Sequence, residues 1–161
     1  MELHIEPQKE HQWLQKLAGE WTFELEATMA PGQPPVKSTG TETVRPLGGF
    51  WILAEAQGEM SCGGPATTIM TLGYDPRKNR FVGTFIGSMI SNLWVYDGQL
   101  DAAERALALD AEGPHIAAQD KVAKYKDIIE IKSDAHRILR SEMLDDDGKW
   151  REIMTIHYRR K

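Results

Sequence analysis

From Trp21 to Met29 the chain alternates without a break. Trp21, Phe23, Leu25, Ala27 and Met29 fall on one side, and Glu20, Thr22, Glu24, Glu26 and Thr28 on the other. A period of two is that of a strand with one buried face. Just upstream the period changes. Trp13, Leu14 and Leu17 share a face at spacings of three and four, while Lys9, Gln12 and Lys16 point elsewhere. That spacing predicts a short helix over about residues 7–18. Pro7 suits the first helical position, where its missing N–H costs nothing, and Gly19 can end the helix in a left-handed conformation. Trp21 therefore stands at the buried end of the first strand, beside the helix exit.

Downstream the chain reads as short strand-like runs between turn signals. These occur at APGQPP (30–35), RPLGG (45–49), SCGGP (61–65), YDPRKN (74–79), GSMISN (87–92), Asp97-Gly98, EGP (112–114), SDA (133–135) and DDDGK (145–149). Asp-Gly pairs are the sharpest of them, since tight hairpins need positive φ. The stretch ALDAEGPHIAAQDKVAKY (108–125) reads as strand, loop or helical turn. About ten strands result, and no gap between them is long enough for a parallel crossover, so neighbours pair antiparallel. Curling the sheet until its edges meet removes both open edges. The expected fold is all-β: about ten antiparallel strands in an up-and-down barrel, one domain over residues 1–161, with the helix across one mouth. A two-sheet sandwich is the alternative.

Several segments are similar to a bacterial family known only as a domain of unknown function. They are HQWLQKLAGEW (11–21), of the form H-x-x-L-x-x-L-x-G-x-W, TLGYDPRKNRFVGTFIGSM (71–89), LWVYDGQLD (93–101), and the closing DGKW (147–150) and YRRK (158–161). The likeness covers nearly the whole chain, and TLGYDP with FVGT is its most specific part. Gly19-x-Trp21 also resembles the opening of lipocalin-like (calycin) barrels, whose tryptophan packs at the closed end near a basic residue from a late strand. Both resemblances imply a fold rather than an activity. Haem-binding nitrobindin-type barrels open similarly, with a Leu-rich turn into Gly-x-Trp. They then carry strand glycines where this chain has Thr22, Phe23 and Glu24.

Charge narrows the partners. A net charge of -5 disfavours nucleic acid and anionic membrane, which need clustered cations. Arg159, Arg160 and Lys161 form a short basic tail, read as solvated. No run approaches the ~20 apolar residues of a membrane helix. The polar start MELHIEPQKEHQ lacks the apolar core of a secretion signal, so the cytoplasm is expected. Cys62 is the single cysteine, which excludes an internal disulfide and a cysteine-based zinc site.

Phosphate-loop, nucleophile-elbow and HExxH patterns are absent. The histidines His4, His11, His115, His136 and His157 show no i, i+2 or i, i+4 pair, so no metal site is expected. His157, late in the last strand, is the one candidate axial haem ligand. Parity turns it outward with Arg151, Thr155 and Arg159, against Trp150, Glu152, Met154, Ile156 and Tyr158. Haem is therefore disfavoured as cofactor. Asp145-Asp146-Asp147-Gly148 lacks the alternate ligands and terminal glutamate of a calcium loop and reads as a hairpin.

Carboxylates on apolar faces carry more information. Asp127 alternates with Tyr125, Ile129 and Ile131 against Lys124, Lys126, Ile128, Glu130 and Lys132, while Glu152 sits between Trp150 and Met154. Burying them requires partners, with Arg137 or Arg140 on the adjacent strand the structural choice. The functional choices are anchors for a ligand, or an acid and base pair. Glu55 lies in FWILAEAQGEM, which is apolar on both faces and has no readable phase. Met29, Met60, Met70, Met89, Met143 and Met154 lie in or beside the predicted strands and suit either a plain core or a cavity for variable apolar guests. The leading expectation is a barrel that binds a small apolar or amphipathic molecule. Its contacts are Trp21, Met70, Phe85, Trp94, Tyr125 and Met154, with Asp127 and Glu152 as polar anchors. The alternatives are an enzyme using Asp127 and Glu152, and a module that pairs with a partner or a second copy of itself as a homodimer.

Overall fold

The computed structural model describes residues 5–28, 30, 32–59 and 63–161. His4, Met29, Met60 and Cys62, and parts of the turns expected at 30–35 and 61–65, lie outside the described residues.

Ten strands follow one helix: α1 (Lys9–Gln15), β1 (Gly19–Ala27), β2 (Val36–Leu47), β3 (Trp51–Glu59), β4 (Pro65–Asp75), β5 (Arg80–Gly87), β6 (Trp94–Leu100), β7 (Ala106–His115), β8 (Ala118–Ser133), β9 (His136–Leu144) and β10 (Trp150–Arg160). Each strand pairs antiparallel with the next, and β1 pairs with β10 from Trp21↔Arg160 to Ala27↔Met154, so the barrel is closed. The sandwich alternative is excluded by that ladder. No helix among the described residues is long and apolar enough to cross a membrane.

The helix is shorter than its apolar spacing suggests. Pro7 and Gln8 precede it, and Gln8 is the extended N-cap. His11 Nδ1 accepts the Gln8 N–H at 2.9 Å, so its Nε2–H is the donor to the Tyr74 carbonyl at 3.0 Å. The imidazole stands edge-on to Phe50 and Tyr74. His11 thus anchors α1 to the barrel. Trp13, Leu14 and Leu17 plug the mouth, and Trp13 donates its indole N–H to Glu104 O at 2.7 Å.

Beneath that plug lies a dense layer in which Trp21, Ile52, Leu72, Phe81, Leu107, Leu109 and Ile129 are each at most 2% exposed. Trp21 donates to Leu17 O at 3.0 Å, and the guanidinium groups of Arg137 and Arg160 lie over its ring at 4.8 and 4.2 Å. Arg160, from the last strand, also donates to the carbonyls of Ala18 (2.7 Å), Lys16 (3.1 Å) and Asp134 (2.8 Å). One side chain therefore ties the helix exit, the β8–β9 hairpin and Trp21 together. A tryptophan at the sealed end beside a basic residue from a late strand is the arrangement that the Gly19-x-Trp21 resemblance implies.

Two expected turns lie inside strands. Asp97-Gly98 sits within β6 and Glu112-Gly113-Pro114 within β7; the actual reversals fall at 101–105 and 116–117. In the first, Asp101 accepts from the N–H groups of Arg105 (2.8 Å) and Ala106 (3.2 Å), which hold its carboxyl below its ordinary value. Gly98 is needed for closeness instead of turning, because a Cβ there would strike the Ala108 carbonyl across the ladder.

Candidate functional site

Directly paired antiparallel residues share a face, so the register fixes what points inward. From Trp21 the inward set passes through Glu42, Ala56, Thr68 and Gly87 on one row and through Phe23, Gly40, Gly58 and Ala66 on the next. On the far wall it passes through Met70, Phe85, Trp94, Tyr125, Asp127, Ser141 and Met154. Inward side chains at the end opposite α1 are only partly buried: Phe23, Leu25, Ser38, Ala56, Thr68, Phe85, Trp94 and Met154 all keep accessible surface. By register these side chains point to the lumen side of the wall. Side-chain size explains the asymmetry, because β2, β3 and β4 present Ser38, Gly40, Ala56, Gly58, Ala66 and Thr68 there. The result is a loosely filled half of the lumen, a recess above the buried Leu107, Ile129 and Leu139.

Asp127 stands just above that floor. Its Oδ2 accepts from Tyr96 Oη at 2.6 Å, and its Oδ1 accepts from Ser141 Oγ. Burial raises its carboxyl above the ordinary value against the pull of these two donors. Burial, followed by the Asp127 charge, pushes the Tyr96 phenol well up, so Tyr96 stays a donor. Arg137 does not reach Asp127, contrary to the expected ion pair. It pairs instead with Glu42 of β2, and its guanidinium lies 3.7 Å from the Tyr158 ring centre. Tyr158 is also pushed up, by burial and then by Glu42. Arg140 faces outward, since it pairs with Ile128 and Thr155.

The expected contacts divide into three groups. Met70, Phe85, Trp94, Tyr125, Asp127 and Met154 point into one lumen. Trp21 points inward too, but lies under α1 in the sealed layer, 2% exposed and away from the recess. Glu152 is a correction. The ladder shifts register between Glu152 and Met154, leaving Ile153 as an extra residue. That bulge reverses the parity, so Glu152 is exposed on the outer wall and accepts from Thr155 Oγ1. Glu152 and Asp127 thus lie on opposite sides of the sheet and form no acid and base pair. Glu55 also faces outward, paired with Thr43 and Ile69.

One seam interrupts the wall of the recess. Pairing of β6 with β7 stops at Asp97↔Asp110, so Trp94–Tyr96 and Ala111–His115 are not laddered to each other. The Trp94 ring fills the splayed corner, lying where a Cβ on Gly113 would be and edge-on to Tyr125 at 5.0 Å. Two open grooves of about 550 Å³ each involve the outer wall. One follows β1, β2 and β10 past Glu24, Lys37, Glu152 and His157. The other follows the seam past Val95, Asp110, Lys124 and Trp150. The first also touches the inward Leu25, Ser38 and Met154, and the second Ala111 and Tyr125, but neither is lined by Asp127. His157 lies on the outer wall, stacked on His136 with Nε2 and Nδ1 3.1 Å apart. Among the described residues no group of three or more His, Cys, Asp or Glu is placed to hold a metal ion.

The partners Tyr96, Ser141 and Glu42 escaped the sequence reading. Tyr96 and Ser141 alternate in phase with apolar neighbours in WVYDGQL and HRILRSEML, which was the available signal. Glu42 sits among threonines and gives none.

Solved structures resemble this barrel at low identity. The crystal structure of Rv2717c from M. tuberculosis has a TM-score of 0.61 at 12% identity, covering 97% of this chain and 99% of that one. A de novo designed fluorescence-activating β-barrel has 0.50 at 14%, covering 92% and 96%. Another barrel, EF1p2_mFAP2b bound to DFHBI, has 0.50 at 15%, covering 94% and 99%. These likenesses concern the fold. No curated protein matches the chain. Residues 6–160 match the model of a family described as a protein of unknown function, DUF1579, and the chain belongs to that family.

Proposed function

We propose that the protein binds one small apolar or amphipathic molecule in the barrel lumen, entering at the end opposite α1. The observation that carries this reading is the accessibility of inward-pointing Phe23, Phe85, Trp94 and Met154 above a fully buried floor. A concave, mostly apolar site with one convergent polar group is the usual form of a small-molecule pocket. That a similarly folded barrel has been solved bound to DFHBI agrees with the reading.

The test is calorimetric titration with n-decanol, paired with an Ala56→Trp variant. Ala56 points inward and is only partly buried, so an indole there occupies the recess without touching the outer grooves. Wild type is expected to bind with one site, and the variant to lose that site while keeping the wild-type far-UV spectrum. Unaltered binding in Ala56→Trp would move the site to an outer groove and overturn the proposal.

A further inference from the structure

Among the described residues, Asp127 is the inward carboxylate that no cation pairs. By register, the ionisable side chains pointing inward below the rim among the described residues are Glu42, Asp127, Arg137 and, at the α1 mouth, Arg160, with the tyrosines Tyr74, Tyr96, Tyr125 and Tyr158; Arg160 is spent on the carbonyls of Lys16, Ala18 and Asp134. Arg151, which pairs with Met143 at the rim, is tied to Asp145 at 3.3 Å. Glu42 and Arg137 neutralise each other in the sealed half, 7% and 4% exposed. Asp127 has two hydroxyl donors and no ion-pair partner. An ionised carboxylate offers about four acceptor positions, so two remain. Unlike the fully buried Ser141 and Tyr96, Asp127 is half-buried as a residue, and its register turns its side chain inward.

Resting on the proposed lumen site, we infer that its ligand is an amphipathic organic cation: a protonated amine on an apolar body, with the ammonium docked on Asp127. Four features converge on this chemistry. The free acceptor positions accept N–H donors and nothing anionic. The two hydroxyl donors approach the oxygens as they would an ionised carboxylate, and the raised phenol of Tyr96 keeps it in that role. The rings of Phe23, Phe85 and Trp94 line the path, and aromatic faces attract a cation. The buried guanidinium of Arg137 is already occupied by Glu42 and stacked on Tyr158, so it offers nothing to a carboxylate ligand.

The ammonium brings its own dehydration cost, so the selectivity is a difference between that loss and the new charged hydrogen bonds. The test compares n-decylammonium, n-decanol and n-decanoate by calorimetry at pH 7, with wild type and Asp127→Asn. Decylammonium is expected to bind wild type at least about tenfold more tightly than decanol, with decanoate weakest. In Asp127→Asn the amine and the alcohol should converge to within roughly threefold of each other. Should that variant fail to fold, wild type alone decides. On acidification Asp127 takes a proton and the amine preference should shrink, while decanol binding stays flat. The titratable groups facing Asp127 are Tyr96 and, further off, Tyr158, and both stay protonated throughout. Equal affinity for amine and alcohol in wild type overturns the inference and leaves the lumen site standing. So does a preference that survives Asp127→Asn or does not respond to pH. If none of the three binds, the lumen site itself fails and the inference with it.

Discussion

Removing the charge of Glu42 should destabilise the barrel although nothing in the recess changes. Glu42 and Arg137 are 7% and 4% exposed, and Arg137 Nε already lacks a partner. Breaking one side of such a pair typically costs about 3–5 kcal/mol, because the remaining charge is buried alone. Here two aromatic faces, Tyr158 at 3.7 Å and Trp21 at 4.8 Å, continue to attract the guanidinium. In Glu42→Gln the amide oxygen also remains as an acceptor, so roughly 2–3 kcal/mol is expected after about 1–2 kcal/mol of cation–π attraction is retained. For a chain of this length that is a fall in Tm of roughly 5–10 °C. Replacing both partners, as Glu42→Met with Arg137→Met, removes the stranded charge. It should return stability to within about 1 kcal/mol of wild type. Urea unfolding followed by far-UV circular dichroism measures all three proteins. The reasoning is refuted if Glu42→Gln unfolds like wild type, or if the double variant is no more stable than Glu42→Gln.

Three further outcomes follow from the same geometry. Burial raises the Asp127 carboxyl, so this group's stabilising contribution is fullest below the ordinary carboxylate range and is lost as pH rises through its folded value. The stability of wild type minus that of Asp127→Asn should therefore decline with rising pH in that window, and a flat or rising difference would contradict it. Gly113→Ala should push the Trp94 ring out of the splayed corner and shift its emission to the red; an unchanged spectrum would mean the ring does not rest there. Arg160→Ala removes three donors to carbonyls and a cation over Trp21, and should cost about 2 kcal/mol with loss of near-UV ellipticity from the helix end.

Alternation in β1 located the inward face of the barrel, and Gly19-x-Trp21 located its sealed end; both depend only on neighbours in sequence. What failed was whatever depended on a partner strand. Asp97-Gly98 carries the composition of a hairpin, yet Gly98 serves close packing against Ala108, a fact visible only once β7 is in place. Glu152 keeps a clean phase with Met154 on paper, and one extra residue, Ile153, reverses it. Asp127 was readable as inward, but its partners come from β6 and β9, far apart in the chain.

The openness of one end was nevertheless written in the chain, as size rather than polarity. Inward positions toward α1 carry Trp21, Ile52, Leu72 and Phe81, which fill the bore. Strands β2, β3, β4 and β5 carry Ser38, Gly58, Ala66 and Gly87 toward the far rim. A ring of constant strand number has a nearly constant bore, so small side chains leave volume that neither backbone nor neighbours can take up. Phe23 already lies across Gly40 and Gly58, and Trp94 across Gly113, so the space at those glycines is filled by rings from other strands. Between the filled and the small-residue halves stands Asp127, half-buried and turned inward. A packed core would have placed a leucine there, whereas a carboxylate with two donors and no cation suits an interior completed by something that is not part of the chain.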